Sequence, residues 1–174
     1  MKILNRETVY QAHVFNVEKV RIALPDGRER NYDLVAHGPG VVLVPVTDDG
    51  NILFVRQFRL GSEQELLELP AGMVNEAEDP DPAAARELRE ETGYEGKITR
   101  LGGFYASAGY CSEYMHAYLA QDLKWNPLPQ DDDEFLSTIS MTIEEAYDAV
   151  ESGKMNDAKT IAALMLAQKY IRNH

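Results

Sequence analysis

Val41 to Val46, VVLVPV, is apolar at every position. A strand with one wet face alternates apolar and polar residues, so an unbroken apolar run reads as a central strand covered on both faces. ILFVRQFR (Ile52 to Arg59) reads as a second strand, reached across Asp48-Asp49-Gly50, a tight-turn signal. HGPG marks a break ahead of the first run. Upstream of it, residues 9 to 37 read as strands joined by a turn at Asp26-Gly27. That piece is too small to bury a core alone and must pack on something else. Further strands are expected near Ile98–Phe104, Met115–Ala120 and Leu136–Met141. Thr142 and Glu145 form a capping-box pattern that starts a helix running to about Gly153. Asp157 caps a last helix, with Ile161, Leu164, Met165 and Ile171 on its apolar stripe.

A chain of 174 residues fits one domain with a small appended piece. Its formal net charge of -12, with no basic cluster to set against it, argues against a nucleic-acid backbone or an anionic membrane as partner. A small anionic substrate stays open, because a few arginines or bound cations reverse the sign of a site. The single cysteine, Cys111, rules out an internal disulfide and fits a reducing cytosol; it reads as a small packed residue rather than a nucleophile. MKILNRETVY lacks the apolar run of a signal peptide. No window approaches the roughly 18 apolar residues of a membrane span. A cytoplasmic protein is the expectation.

The chemistry concentrates in GMVNEAEDPDPAAARELREETGY, Gly72 to Tyr94. Asp81 with Pro82 offers an N-cap and first helical residue, and Gly93 is placed to end the helix. At 100° per residue, Glu91 lies about 40° from Glu87 and Glu90 about 60° to its other side, so all three share a face. Arg86 can pair with Glu90 one turn on. Glu87 and Glu91 repel each other, and Glu90 and Glu91 sit near the negative end of the helix dipole. A hard divalent cation offsets both penalties, and all-oxygen ligation suits Mg²⁺ or Mn²⁺. The alternative is a solvated acidic helix face.

Gly72, Glu78, Arg86, Glu87, Leu88, Glu90, Glu91, Gly93 and Tyr94 together fit one longer pattern, which resembles the Nudix box. That box runs glycine, five residues, glutamate, seven residues, arginine-glutamate, an apolar residue, one residue, glutamate-glutamate, one residue, glycine and an apolar residue. Tyr94 is its loosest match here. The resemblance implies a Nudix fold, an α/β/α sandwich around a mixed β-sheet. It implies a hydrolase acting on a nucleoside diphosphate linked to another moiety, with about two or three Mg²⁺ or Mn²⁺ ions per site. On the same ground Glu87 and Glu91 are the main metal ligands, with Glu90 alongside. Arg86 orients the carboxylates, and Glu78 pairs with the helix or its arginine.

The flanks VVLVPV, LFVRQFR and ELPAG resemble the ADP-ribose pyrophosphatase group, as does an N-terminal antiparallel strand module, residues 1–38, ahead of a hydrolase domain, 39–174. In that group the module builds a homodimer and helps complete the substrate cleft. The resemblance also implies metal binding by the Ala71 carbonyl and phosphate binding by Arg56. Arg56 and Arg59, read on one face of their strand, form one cationic patch. The group's serine-proline-glycine segment and following glutamate map to Ser107, Gly109 and Glu113, with Ala108 in place of the proline. That departure leaves GDP-mannose, ADP-glucose, FAD or NADH as alternatives to ADP-ribose. In QDDDEF, Glu134 is the first candidate to assist the attacking water and Asp132 the second. Tyr32, Phe15 and Phe104 are aromatic candidates for the base cleft, against a plain core role. His13, His37, His116 and His174 show no metal-ligand spacing. A nucleotide-sensing protein without catalysis is the rival class.

Overall fold

The computed structural model describes residues 1–129 and 135–171. Glu134 and Asp132 lie outside the described residues. Two compact units divide the chain: Met1–Pro39 with Tyr105–Tyr114, and Gly40–Phe104 with Met115–His174.

In the first unit, β1 (Lys2–Gln11), β2 (Phe15–Ala23) and β3 (Glu29–His37) form an antiparallel sheet in chain order. The Asp26-Gly27 turn joins β2 to β3 as expected. Gly27 takes φ +83, and Leu24 N–H closes the turn on the Arg28 carbonyl at 2.8 Å. β1 begins well before residue 9, where the sequence reading started its strands. All ten of its residues are exposed, so no apolar alternation marks it in the sequence. The 105–114 segment bonds to β3: Val35 N–H donates to the Tyr110 carbonyl at 2.8 Å, and Ser112 N–H to the Val35 carbonyl at 3.0 Å. Tyr32 and Phe15 are exposed, whereas Phe104 packs partly against the main core.

Elsewhere β4 (Gly40–Pro45) is buried at every residue, as VVLVPV predicts. β5 (Ile52–Arg59), β6 (Gln64–Glu68), β7 (Ala71–Met73), α1 (Pro80–Thr92), β8 (Tyr94–Tyr105), β9 (Tyr114–Trp125), β10 (Leu136–Met141), α2 (Ile143–Glu151) and α3 (Ala158–Ile171) follow. β4 pairs parallel with β9 and antiparallel with β7, which makes the sheet β7-β4-β9-β8 mixed. A second sheet, β10-β5-β6, is antiparallel. The period-two pleat sends Val42 and Val44 toward Ile52, Phe54 and the buried residues of α2 and α3. Val41 and Leu43 go the other way, onto Ala83, Ala84 and Leu88 of α1. Helices therefore cover both faces, giving the α/β/α sandwich.

Helix ends follow local chemistry. α1 starts at Pro80 with Asp79 as N-cap, two residues ahead of the expected Asp81-Pro82 start. Asp79-Pro80-Asp81-Pro82 offers the same signal twice, and Pro82 is tolerated in the first turn, where N–H groups have no helical partner anyway. Asp81 instead accepts a hydrogen bond from the Tyr118 hydroxyl at 2.7 Å. Burial and that bond push the Tyr118 phenol above its ordinary value. The Thr142–Glu145 capping box starts α2 as expected. Asp157 caps α3, accepting Thr160 N–H at 2.9 Å. On α3, Leu164 and Ile171 are buried as expected, but Met165 is 62% exposed. It lies about 100° round from Leu164, and Thr160, Ala163 and Ala167 complete the inner face.

Candidate active site

α1 ends at Gly93, whose φ of +80 suits glycine and whose N–H returns to the Arg89 carbonyl at 3.1 Å. A Cβ there would also strike the Trp125 ring. The last two turns carry the acidic face. Glu87 is 7% and Glu91 2% exposed, so the idea of a solvated acidic surface fails for these two.

Arg86 organises the face. Its Nη1 donates at 2.7 Å to both Glu87 Oε1 and Glu90 Oε2, and its Nη2 donates to the Met73 carbonyl at 2.9 Å. Nε and Nη2 also reach the two oxygens of Glu78, each at 3.2 Å. Glu78 in turn accepts Asn75 N–H at 2.9 Å, so it ties the loop before the helix to Arg86. Burial alone would lower the guanidinium's pKa, but the Glu78, Glu87 and Glu90 carboxylates raise it. The pull is mutual: hydrogen bonds from Arg86 hold Glu78 below the ordinary carboxylate value.

β7 brings backbone to the same place. Ala71 N–H donates to Glu91 Oε2 at 3.0 Å. Gly72 lies so close to Glu87 that a Cβ would fall inside its carboxyl group. A β-carbon fits there only if the Glu87 carboxyl gives up this position, which is a physical reason for glycine at this point of the box. Four carboxylates (Glu78, Glu87, Glu90, Glu91) thus gather here, three of them around the Arg86 guanidinium, while Arg59 feels the charge of Glu91 from its place on Glu68, so acids outnumber cations among the described residues. Oxygen donors in negative excess, two of them buried, fit a hard divalent cation. Among the described residues no three His, Cys, Asp or Glu side chains are already drawn into a cage, since Arg86 draws Glu87 and Glu90, and Ala71 N–H holds Glu91.

Two arginines were expected on one face of β5. They are three residues apart on a strand of period two, and so point to opposite faces. Arg56 is exposed. Arg59 is committed to Glu68, with Nε at 2.9 Å from Oε1 and Nη2 at 2.7 Å from Oε2. Lys159 adds a bond to Glu68 at 2.6 Å. Glu68, 1% exposed, was not anticipated as part of the site, because its partners lie 9 and 91 residues away. On the side of β5 that carries Arg59, Gln57 Oε1 is buried without a hydrogen-bond partner among the described residues.

Burial pushes the Glu68 carboxyl up, but Arg59 and Lys159 outweigh it and hold the carboxyl below its ordinary 4.5. The stability this contributes is present above that value and is lost as pH falls below it. Glu68→Gln should cost about 3 kcal/mol, the low end for a buried ion pair because both cations partly reach water. Urea melts at pH 7 and pH 4 check this, with the gap between parent and variant narrowing at pH 4.

Ser107, Gly109 and Glu113 lie in the first unit. The Ser107 carbonyl accepts Tyr110 N–H at 3.1 Å and Cys111 N–H at 2.9 Å, and the Glu113 carboxylate stands 3.8 Å from His37 Nδ1. Nothing would meet a Cβ at Gly109, so packing does not demand glycine there.

The NUDIX domain model matches residues 36–164. The chain belongs to the Nudix family. This Nudix hydrolase is 36% identical over 170 residues to the ADP-ribose pyrophosphatase of Bacillus subtilis (strain 168), covering 96% of this chain and 92% of that one. It is 33% identical to the methanol dehydrogenase activator of Bacillus methanolicus, with the same coverage. It is 30% identical to the ADP compounds hydrolase NudE of Escherichia coli (strain K12), covering 98% and 92%. The crystal structure of an ADP compounds hydrolase superimposes with a TM-score of 0.87 at 30% identity, covering 99% of this chain and 94% of that one. Nudix hydrolases depend in general on divalent cations, in line with the donor set around α1. No helix among the described residues is long and apolar enough to cross a membrane.

Within the Nudix box Arg86 does what lysine cannot, since one ammonium lacks the planar fork that reaches Glu78, Glu87, Glu90 and Met73 together. Arg86→Lys is expected to fold and to lose about 10- to 100-fold in kcat/KM. Steady-state kinetics beside a thermal melt separate the two effects.

Proposed function

We propose that this chain hydrolyses the pyrophosphate bond of ADP-ribose to AMP and ribose 5-phosphate. The observation that carries the reading is the pair of buried carboxylates, Glu87 and Glu91, set against the Ala71-Gly72 backbone. The likeness to an ADP-ribose pyrophosphatase over nearly the full chain supports the substrate.

A pyrophosphate resists attack because its anionic oxygens repel the nucleophile and charge builds on the leaving phosphate. Mg²⁺ or Mn²⁺, held by Glu87, Glu90, Glu91 and the Ala71 carbonyl, would supply opposing charge there. The protein's own part is positional. Arg86 fixes Glu87 and Glu90, and Ala71 N–H fixes Glu91. Arg56, exposed on β5, adds a fixed positive charge for the phosphates. Glu134, or Asp132 in its place, accepts the proton of the attacking water, and no covalent enzyme intermediate forms. Ser107, Gly109 and Glu113 contact the substrate, the N-terminal strands join two copies into a homodimer, and the protein works in the cytoplasm.

Ala108, where the subgroup has proline, favours a second reading in which another nucleoside diphosphate compound is preferred; the NudE relative is named for ADP compounds as a class. The test is incubation with Mg²⁺ and ADP-ribose, FAD, NADH, GDP-mannose, ADP-glucose or dATP, with products resolved by chromatography. ADP-ribose is expected to lead in kcat/KM. Another compound ahead by about tenfold overturns the substrate, and no cleavage of any diphosphate overturns the activity.

A further inference from the structure

Thr160, in the first turn of α3, is fully buried, and its hydroxyl is bonded on both sides. It donates to Asp157 Oδ2 at 2.7 Å and accepts Leu69 N–H at 2.8 Å. Capping does not require this hydroxyl, because Asp157 already accepts Thr160 N–H. The hydroxyl serves Leu69 instead. β6 ends at Glu68, its last partner on β5 being Val55, and the buried amide of Leu69 finds its acceptor on α3.

Leu69 is two residues from Ala71, whose backbone meets the carboxylates. Pro70 comes next, with φ fixed by its ring and its carbonyl accepting Leu43 N–H at 2.9 Å. Ala71 follows, and its N–H holds Glu91. On the other side of Leu69, Glu68 is gripped by Arg59 and Lys159, and Lys159 reaches back to Asp157 at 3.0 Å. The cap of α3 therefore clamps Glu68-Leu69 by side chain and by backbone, and one rigid residue separates the clamp from Ala71.

We infer that Thr160 is a positioning residue for the diphosphate-cleaving centre: through Leu69 and Pro70 its hydroxyl sets where the Ala71 backbone meets Glu91. The inference rests on the hydrolase reading for its consequence, although the clamp itself is visible without it. A residue that acts at one remove in this way shifts cation dependence and turnover, while substrate affinity stays near its parent value.

Thr160→Val keeps the shape and removes both bonds, and Thr160→Ser keeps both bonds. In the full chain with ADP-ribose, Thr160→Val is expected to raise the half-saturating Mg²⁺ concentration and lower kcat, each by about tenfold. KM for ADP-ribose at saturating Mg²⁺ should stay within about twofold. Amide exchange followed by NMR should be faster at Leu69 and Ala71, and Thr160→Ser should restore parent behaviour in every readout. A folded Thr160→Val with parental Mg²⁺ dependence and parental exchange at Ala71 overturns the inference, and so does a lower Tm with neither of these moved. If Thr160→Val fails to fold, Asp157→Asn, which keeps a cap but loses the charge facing Lys159, takes its place; a smaller shift in the same direction supports the clamp and no shift overturns it. Should the parent cleave none of the diphosphates, the function is wrong, and exchange at Ala71 still decides the clamp.

Discussion

Glu91→Gln is expected to lower kcat by about 10²- to 10³-fold while the fold survives. Glu91 is 2% exposed in the last turn of α1, facing the first residue of β7. Glutamine has nearly the same shape, and its carbonyl oxygen can still accept the Ala71 N–H that Glu91 now holds at 3.0 Å. What it loses is the charge. With Glu87 one turn away, removing one of two like charges relieves repulsion, which offsets part of the cost of burying an amide. Stability should therefore change little while turnover collapses. Steady-state kinetics and a thermal melt on the same preparation check both halves. A variant as active as the parent would remove Glu91 from the metal site.

Gly72→Ala should fail in both respects, and for a steric reason. An added Cβ would occupy the Glu87 carboxyl, and the backbone has little room to retreat. Gly72 is paired with Val41 of β4, between the Gly40–Met73 and Val42–Ala71 pairs, which holds its backbone in register. Glu87 must move instead, giving up its 2.7 Å contact with Arg86. The expected cost is about 1–3 kcal/mol of stability and about 10²-fold in turnover, the scale of a displacement near 1 Å at a reacting centre. Gly61→Ala, where an added Cβ meets nothing, serves as the control and should stay within about 0.5 kcal/mol of the parent. Equal behaviour of the two variants in urea melts would contradict the packing argument.

Local signals in the sequence were legible wherever their partners lie nearby. The Thr142–Glu145 capping box, the Asp157 cap, the Gly93 helix end and the all-apolar β4 each stand where the sequence places them. The shared face of Glu87, Glu90 and Glu91 was legible from helical spacing, and Arg86 meets Glu90 one turn on. The start of α1 was placed two residues late because Asp-Pro occurs twice in succession. β1 was largely missed because it buries nothing, so no periodic apolar signal marks it. Arg59 was grouped with Arg56 in one cationic patch because its partners could not be seen. Glu68 is adjacent on the neighbouring strand, and Lys159 comes from a helix near the end of the chain. Thr160 escaped for the same reason: its bond to Leu69 spans 91 residues, and no spacing rule reaches that far.

Whether the acidic side chains after Arg86 grip a cation on a diphosphate is decided by a crystal of the full chain soaked with Mg²⁺ and α,β-methylene ADP-ribose. Mg²⁺ density ligated by Glu87 and Glu91 and touching phosphate oxygens of the analogue is the expected result. Analogue bound with Glu87, Glu90 and Glu91 still turned to Arg86 and Ala71, and no ion between them and the phosphates, would contradict it.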